Sequence, residues 1–225
     1  MINIKYSKGR VHARLFLYLC NIKYNQTVMK ILIDNGHGEN TPGKRSPDGS
    51  LREYAYCREI ARMLYSKLKD DGCDVQLVTP ERYDVSLSER CRRVNSICRQ
   101  AGSANVLLVS IHNNAAGGDG QWHEARGFSA HVGMNSSAYS KRLAAFLWDE
   151  AVNLSMKGNR DVPACKYIAQ NLAICRDTLC PAVLTENLFQ DNKQDVSFLL
   201  SEQGKRAVVD VHHRAILKFI KSCEK

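Results

Sequence analysis

The sequence contains no apolar run that approaches the roughly 18 residues of a membrane-spanning helix, so we expect no membrane span. It also lacks internal repeats and low-complexity linkers, which argues against an appended repeat module that would anchor the chain to a polymer. Its nine cysteines include no CxxC pair, which argues against a zinc knuckle. We interpret most of these thiols as small core residues of a protein from a reducing compartment.

Acidic residues are missing from residues 1–28, although this segment holds five of the Lys and Arg residues. Because the net charge of the whole chain is +9, the remainder is only mildly basic. It has neither an arginine-rich stripe nor interleaved aromatics, so we expect no nucleic-acid partner. The apolar stretch LFLYLC is shorter than the roughly 7 to 15 residues of a signal-peptide core. We therefore expect synthesis in the cytoplasm without an export signal, and we interpret residues 1–28 as a poorly ordered basic arm or as upstream sequence.

Residues 29–225 are long and apolar enough for one sizeable core, and we expect them to form a single domain. Short apolar segments rich in β-branched residues alternate with segments of helical periodicity. This alternation predicts an α/β fold of three layers, in which a twisted, mostly parallel sheet of about six strands carries helices on both faces. The predicted strands are 30–34, 74–79, 105–111, 127–132 and 181–185, and the predicted helices are 51–71, 86–101, 136–152 and 203–221.

Three of the predicted strands lead into side chains that bind metals or transfer protons. The run ILIDNGHG contains His37, NVLLVSIHNN contains His112, and PAVLTEN contains Glu186. Because the carboxyl ends of parallel strands share one rim of a sheet, we expect these side chains to converge there. This outline is typical of a metal-dependent hydrolase.

Glu53 continues the apolar stripe of the predicted helix 51–71 at its first turn. A carboxylate in that position is costly unless it is paired or bound to a metal. With His37 and His112 it would complete the arrangement of two His and one Glu found in catalytic zinc sites, which leaves a fourth position for water. The segment SLRE equally matches a capping box, in which Glu53 bonds back to the Ser50 amide.

The other histidines and the role of Glu186 leave alternatives open. His131, on the predicted strand GFSAHV, is a rival metal ligand. Glu186 is either a proton-transferring group, which acts best with a pKa near the operating pH, or a structural carboxylate paired with a cation such as Arg160. The remaining histidines have no strand-end context and are expected at the surface, namely His12, His123, His212 and His213.

The ordered set of motifs resembles the zinc-dependent N-acetylmuramoyl-L-alanine amidases, the catalytic domains of bacterial autolysins and many phage endolysins. The resemblance spans about residues 30–220 and rests on IDNGHGENTPGKRSPDG, SIHNNA and LCPAVLTENLFQDNKQD. It implies that His37, Glu53 and His112 bind Zn²⁺ and that Glu186 is the general acid/base for a metal-activated water. The implied reaction is hydrolysis of the amide between N-acetylmuramic acid and L-alanine in peptidoglycan. We expect a monomer that acts on the cell wall after release by lysis.

Further features of the sequence accompany this resemblance. Asn113 and Asn187 are candidates for hydrogen bonds that orient the site residues. The glycine-rich loop 117–127 is a candidate mobile wall of the cleft, where Trp122 could pack on a sugar or peptide. The arginine-containing second helix region of the family is resembled by Arg82, Leu87, Arg90 and Asn95.

Three rival functions remain beside this one: a zinc peptidase acting on cell-wall peptides, a wall-binding module without catalysis, and a nucleotide-binding protein. The segment GENTPGK at 38–44 nearly matches a phosphate-binding P-loop. However, Arg45 replaces the hydroxyl that Mg²⁺ needs, and Pro42 lacks an amide donor. SPDG at 46–49 predicts a turn where a helix should begin, so we do not expect nucleotide binding.

Overall fold

The computed structural model describes residues 29–224, so the basic arm predicted for residues 1–28 lies outside the described residues. Strands and helices alternate along the described chain. The strands are β1 (Lys30–Asn35), β2 (Asp74–Leu77), β3 (Val106–Asn114), β4 (Ser129–Gly133), β5 (Ile168–Gln170) and β6 (Ala182–Phe189). The α-helices are α1 (Glu53–Asp70), α2 (Leu87–Ala101), α3 (Ala138–Asn153), α4 (Ala173–Arg176), α5 (Lys193–Leu200) and α6 (Glu202–Cys223).

The strands form one six-stranded sheet in the order β2-β1-β3-β6-β4-β5. The first four run parallel to one another, whereas β4 pairs with β6 in the antiparallel direction and β5 runs parallel to β4. The predicted α/β fold with a mostly parallel sheet is therefore confirmed. Because β1, β3 and β6 are neighbours of one direction, their carboxyl ends lie at a single rim of the sheet.

Helices cover both faces of this sheet. On one face, apolar residues of α1, α3 and α6 pack against alternate side chains of β1 and β3, such as Ile33 and Val109. On the other face, α2 and α4 cover Leu32, Leu108 and Leu184. Burial on both faces explains why the strands are continuous apolar runs, and the predicted three layers are confirmed. None of the described helices is both long and apolar enough to span a membrane.

Three short elements between β4 and α6 were not predicted from the sequence. β5 and α4 contain three and four residues, which is too few to show a periodic pattern. The eight-residue α5 does carry a local signal, because the Asn192 side chain accepts hydrogen bonds from the first turn of that helix. β5 extends the sheet beyond β4, and none of the three elements adds a side chain to the predicted ligand set.

Candidate metal centre and active site

Three predicted metal ligands come together at the carboxyl rim of the sheet. His37 follows β1, His112 lies near the end of β3, and Glu53 is the first residue of α1. The Glu53 Oε1 atom lies 3.3 Å from His37 Nε2 and 3.1 Å from His112 Nδ1. The three candidate ligand atoms all lie within 4.8 Å of one another. Two imidazole nitrogens and one carboxylate oxygen at this spacing form a candidate metal site.

The alternative role of Glu53 in a capping box is wrong. The N-cap of α1 is Arg52, and the Ser50 amide donates its hydrogen bond to Asp48 Oδ1 at 3.0 Å. The Glu53 carboxylate instead accepts from the backbone amide of Asn113 at 3.0 Å. The start of α1 therefore does not use this carboxylate, which is turned toward the histidines.

Glu53 is only 1% exposed, so its charge depends on its neighbours. Burial alone would raise the pKa of Glu53, but hydrogen bonds and charge from His112 and His37 outweigh burial and lower the pKa below its usual range. For His112 the balance is the reverse: burial alone would lower its pKa, but the hydrogen bond and charge of Glu53 raise it. The Glu53 carboxylate and the His112 imidazole thus stabilise one another's charged forms.

The turn that presents His37 has an unusual backbone. His37 itself has a φ of +57°, a left-handed conformation that is uncommon outside glycine. The flanking glycines, Gly36 and Gly38, are required by close packing and not by a positive φ. A Cβ atom on Gly36 would lie 2.6 Å from the His112 ring, and one on Gly38 would lie 1.9 Å from the Asp84 backbone nitrogen. Glycine is required at both positions because other chain segments approach so closely.

Two buried arginines stabilise this turn through hydrogen bonds to its backbone carbonyls. The Arg58 guanidinium donates to the His37 carbonyl at 2.8 Å and to the Gly36 carbonyl at 3.3 Å. The Arg90 guanidinium donates to the same His37 carbonyl at 3.2 Å and forms a 2.8 Å ion pair with Asp34. Charge-assisted hydrogen bonds are stronger than neutral ones, so they fix the backbone that carries the His37 imidazole.

The two predicted orienting asparagines make hydrogen bonds beside His112. Asn187 Nδ2 donates to the His112 carbonyl at 2.9 Å, and Asn113 Nδ2 donates to the Asn187 carbonyl at 2.6 Å. These bonds tie the end of β3 to β6. The backbone amide of Asn113 meanwhile bonds Glu53, so one residue contacts both sides of the ligand cluster.

Glu186 lies opposite His112 in the register between β6 and β3. Both residues line a cavity of about 350 Å³, together with His37. Burial raises the pKa of Glu186 to about 7, although the nearby His112 acts in the opposite direction. The ion pair with Arg160 that would make Glu186 a structural carboxylate does not form within residues 29–224, since the Arg160 guanidinium lies 5.2 Å above the Phe189 ring.

The buried oxygen atoms of the site fit a cation. Within the described chain, Glu53 Oε2 and Glu186 Oε2 are buried without a hydrogen-bond partner. A buried carboxylate oxygen without a partner costs free energy, and a bound cation would remove that cost. The two histidines add imidazole nitrogen ligands to this set. The residues present therefore fit a metal ion.

Two other histidines lie away from the ligand cluster. His131, the rival ligand, bonds Ser129 Oγ through Nε2 at 2.9 Å, and burial lowers the pKa of His131 to about 4. The surface position expected for His212 is wrong, because this side chain is fully buried and bonds Thr185 Oγ1 and the Val208 carbonyl. His212 lies on the apolar stripe of α6, which its helical spacing from Val208 could have revealed.

The structure does not support a phosphate-binding loop, whereas the contact of Trp122 with a ligand stays a prediction. The segment 46–49 forms the expected turn, closed by a hydrogen bond from Gly49 to the Ser46 carbonyl, and no helix begins between residue 29 and Glu53. Several residues of the loop 117–127 line a second cavity of about 480 Å³. Trp122, by contrast, is half-buried and packs on the core beneath this loop.

Comparison with known protein families identifies the family of this chain. The sequence profile of the N-acetylmuramoyl-L-alanine amidase family (Amidase_3) matches residues 31–218. The chain belongs to this family. The matched segment contains all of the sheet except Lys30, together with all four predicted site residues, namely His37, Glu53, His112 and Glu186.

Two curated proteins illustrate the similarity of this amidase-family chain to its relatives. The endolysin of Bacillus phage SPP1 is 24% identical over 196 residues, which are 84% of this chain and 65% of the endolysin. The N-acetylmuramoyl-L-alanine amidase CwlM of Bacillus licheniformis is 26% identical over 85% of this chain and 68% of CwlM. The chain thus spans about two thirds of the length of these curated relatives.

A solved structure shares the fold. The N-acetylmuramoyl-L-alanine amidase from Clostridium difficile 630 has a TM-score of 0.72 against this chain, with 23% identity, and the match covers 88% of this chain and 99% of that one. The described residues of this amidase-family member thus include nearly every part of that structure's fold.

Proposed function

We propose that this chain is a zinc hydrolase that cleaves the amide between N-acetylmuramic acid and the L-alanine of peptidoglycan stem peptides. The observation that carries the proposal is the convergence of His37, Glu53 and His112 beside Glu186, in a member of the N-acetylmuramoyl-L-alanine amidase family. In this proposal, residues 29–225 act as the catalytic domain.

Zinc is the metal that we propose for the ligand cluster. Two imidazole nitrogens and one carboxylate suit Zn²⁺, whereas Mg²⁺ and Ca²⁺ prefer sites made of oxygen atoms. Zinc would supply Lewis acidity, which polarises a carbonyl and makes water reactive near neutral pH. The Glu53 carboxylate would neutralise part of the cation's charge, and the Asn113 amide keeps that carboxylate oriented.

Glu186 serves as the general acid/base in this proposal. Because its pKa is about 7, both of its protonation states are populated near neutral pH. The carboxylate removes a proton from the attacking water, and the carboxylic acid that results donates this proton to the leaving nitrogen. One side chain thus balances the proton transfer of both halves of the hydrolysis.

Mass spectrometry of digested peptidoglycan tests the bond that is cleaved. We expect muramic acid with a free lactyl carboxylate, together with intact stem peptides that begin with L-alanine. Cleavage between amino acids would identify a zinc peptidase instead, and binding to the wall without any cleavage would identify a wall-binding module. Activity that survives removal of the metal by a chelator would contradict the role of zinc.

The Glu186→Gln variant tests the proton-transfer role separately from metal binding. The amide preserves the shape of the side chain but cannot exchange the proton, so we expect kcat to fall by about 10² to 10⁴. The zinc content should remain one ion per chain, as in the unaltered protein. A variant that keeps its full kcat would remove Glu186 from the mechanism.

We further propose that the chain acts on peptidoglycan as a monomer, after synthesis in the cytoplasm and release by lysis. The similarity to a phage endolysin supports the release by lysis. Light scattering of the purified chain should give a mass near 25.3 kDa. A mass of twice that value would contradict the monomer.

A further inference from the structure

Two cavities meet at the loop between β1 and α1. The first is the cavity of about 350 Å³ that contains His37, His112 and Glu186. The second, of about 480 Å³, lies between residues 42–47 and the glycine-rich loop after β3. Lys44 lines both cavities, so a ligand that extends from the metal site into the second cavity passes this side chain.

The backbone around Lys44 is fixed by hydrogen bonds. The Lys44 carbonyl accepts from the Glu53 amide at 3.0 Å, which ties it to the residue that supplies the carboxylate of the ligand cluster. The fully buried Ser46 accepts from the Leu51 amide through Oγ at 2.9 Å and donates its own amide to the Leu51 carbonyl. The next residue, Arg45, forms an isolated bridge with Arg52. These hydrogen bonds therefore fix the backbone of Lys44 and Arg45 relative to the ligand cluster.

These two cations are available to a ligand. Lys44 and Arg45 are exposed, and neither lies within 4.0 Å of a carboxylate of residues 29–224. The acidic residue of the second cavity, Asp191, is 5% exposed, and its Oδ2 accepts from the amides of Ala116 and Gly117 at 2.7 and 3.0 Å. The accessible charge of the second cavity is therefore positive.

Charge distinguishes the two sides of the bond in the proposed substrate. On the sugar side, the amide occupies the only carboxyl group, whereas the stem peptide on the leaving side carries free carboxylates. A positively charged cavity beside the site therefore suits the peptide side. We propose that Lys44 and Arg45 form a subsite that binds a carboxylate of the leaving peptide and selects stem peptides in which that group is free. This inference rests on the proposed function.

Two soluble substrates separate this subsite from the hydrolysis itself. Both are N-acetylmuramoyl-L-alanyl-γ-D-glutamyl-L-lysine, one with the free α-carboxylate on the second residue and one with that group as a carboxamide. The unaltered chain should cleave the carboxylate form with about a tenfold higher kcat/KM, mainly through KM. Because the contact is exposed, the preference should shrink as the salt concentration rises.

The Lys44→Met variant should lower the preference toward one, because the carboxylate form should lose much more of its kcat/KM than the carboxamide form does, and Arg45→Met should lower the preference in part. Lys44→Arg keeps the charge and should keep most of the preference. Lys141→Met, an exposed lysine on α3, is the matched control and should leave both substrates unaffected. An equal effect of Lys44→Met on the two substrates, or no effect on either, would overturn the subsite.

Calorimetry with the released tripeptides gives a measurement that does not depend on catalysis. The carboxylate tripeptide should bind more tightly than its carboxamide, and Lys44→Met should remove the difference. Absence of cleavage of both substrates would count against the proposed function, while this binding difference would still support the subsite. Equal binding of the two tripeptides to the unaltered chain would overturn it.

Discussion

The Glu53 carboxylate makes its contacts through a single oxygen atom. Its Oε1 lies within 3.3 Å of a nitrogen on each of His37 and His112 and also accepts from the Asn113 amide. Oε1 thus contacts both imidazoles. Oε2 is buried without a hydrogen-bond partner in the described part of the chain, and a bound cation would remove the free-energy cost of that burial.

Replacing Glu53 by Gln should separate these two tasks. The amide oxygen can still accept from Asn113, so the fold should persist, but the lost negative charge should weaken zinc binding by more than about 100-fold. Competition with a zinc-binding dye measures this affinity. Glu59→Gln, an exposed site on the same helix, should bind zinc as the unaltered chain does. Equal zinc affinity of the two variants would contradict a ligand role for Glu53.

The predictability of individual site residues depended on the elements that carry them. His37, His112 and Glu186 could be selected because each follows or ends an apolar run, and parallel strands deliver such residues to one rim. Glu53 stayed ambiguous because a ligand and a capping carboxylate occupy the same spacing. Arg58 escaped notice because helix arginines are usually solvated, and only tertiary packing shows that it is 5% exposed.

At the scale of elements, the turn after β1 depends on α1 and α2. Arg58 comes from α1 and Arg90 from α2, and both reach the His37 carbonyl from opposite layers of the fold. A left-handed φ at a residue other than glycine persists only where its surroundings enforce it. The arginines of the two helices thus hold His37 in a backbone conformation that the turn alone would not maintain.

Arg90→Met should destabilise the fold by about 3 to 5 kcal/mol, because it leaves the buried Asp34 carboxylate without its cation. Urea denaturation of the metal-loaded protein measures the free energy of unfolding. Arg92→Met removes an exposed arginine of the same helix, paired with Glu89, and should leave stability nearly unchanged. If Arg90→Met lowered the free energy of unfolding as little as Arg92→Met is expected to, the buried ion pair with Asp34 would not stabilise the fold.

Long elements were predictable from the sequence, and short or reversed ones were not. The helices α1, α2, α3 and α6 were predicted within about two residues, because periodicity over four or more turns is a strong signal. The direction of β4 could not be predicted, since an apolar strand carries no mark of its orientation. It is decided by pairing with β6, a contact distant in sequence.

At the scale of the whole molecule, two buried histidines connect stability to pH. Burial lowers the pKa of His212 to about 4, and burial likewise dominates for His131. The unfolded chain takes up these protons near pH 6.5, before the folded chain does. The stabilisation is therefore complete above about pH 6.5 and is lost as the pH falls toward 4.

His212→Gln should make the free energy of unfolding less sensitive to acid. The amide can replace the hydrogen bonds of the imidazole without taking up a proton. Between pH 6.5 and 4, the unaltered chain should lose up to about 3 kcal/mol more than the variant. Urea denaturation across this pH range provides the comparison, and metal release affects both proteins alike. Parallel curves for the two proteins would show that His212 does not contribute to the acid sensitivity.

The reversed direction of β4 has a consequence for how this protein can diversify. Ser129 begins β4 opposite Glu186 of β6. The chain therefore leaves β3 and enters β4 at the same carboxyl rim of the sheet. The segment between β3 and β4 therefore starts and ends at this rim. Surface loops of this kind tolerate insertion and deletion. Evolution or an engineer could therefore exchange the exposed residues 118–121 as a cassette, leaving the core residues Trp122 and Phe128 in place, and acquire a different substrate preference while the scaffold stays as it is.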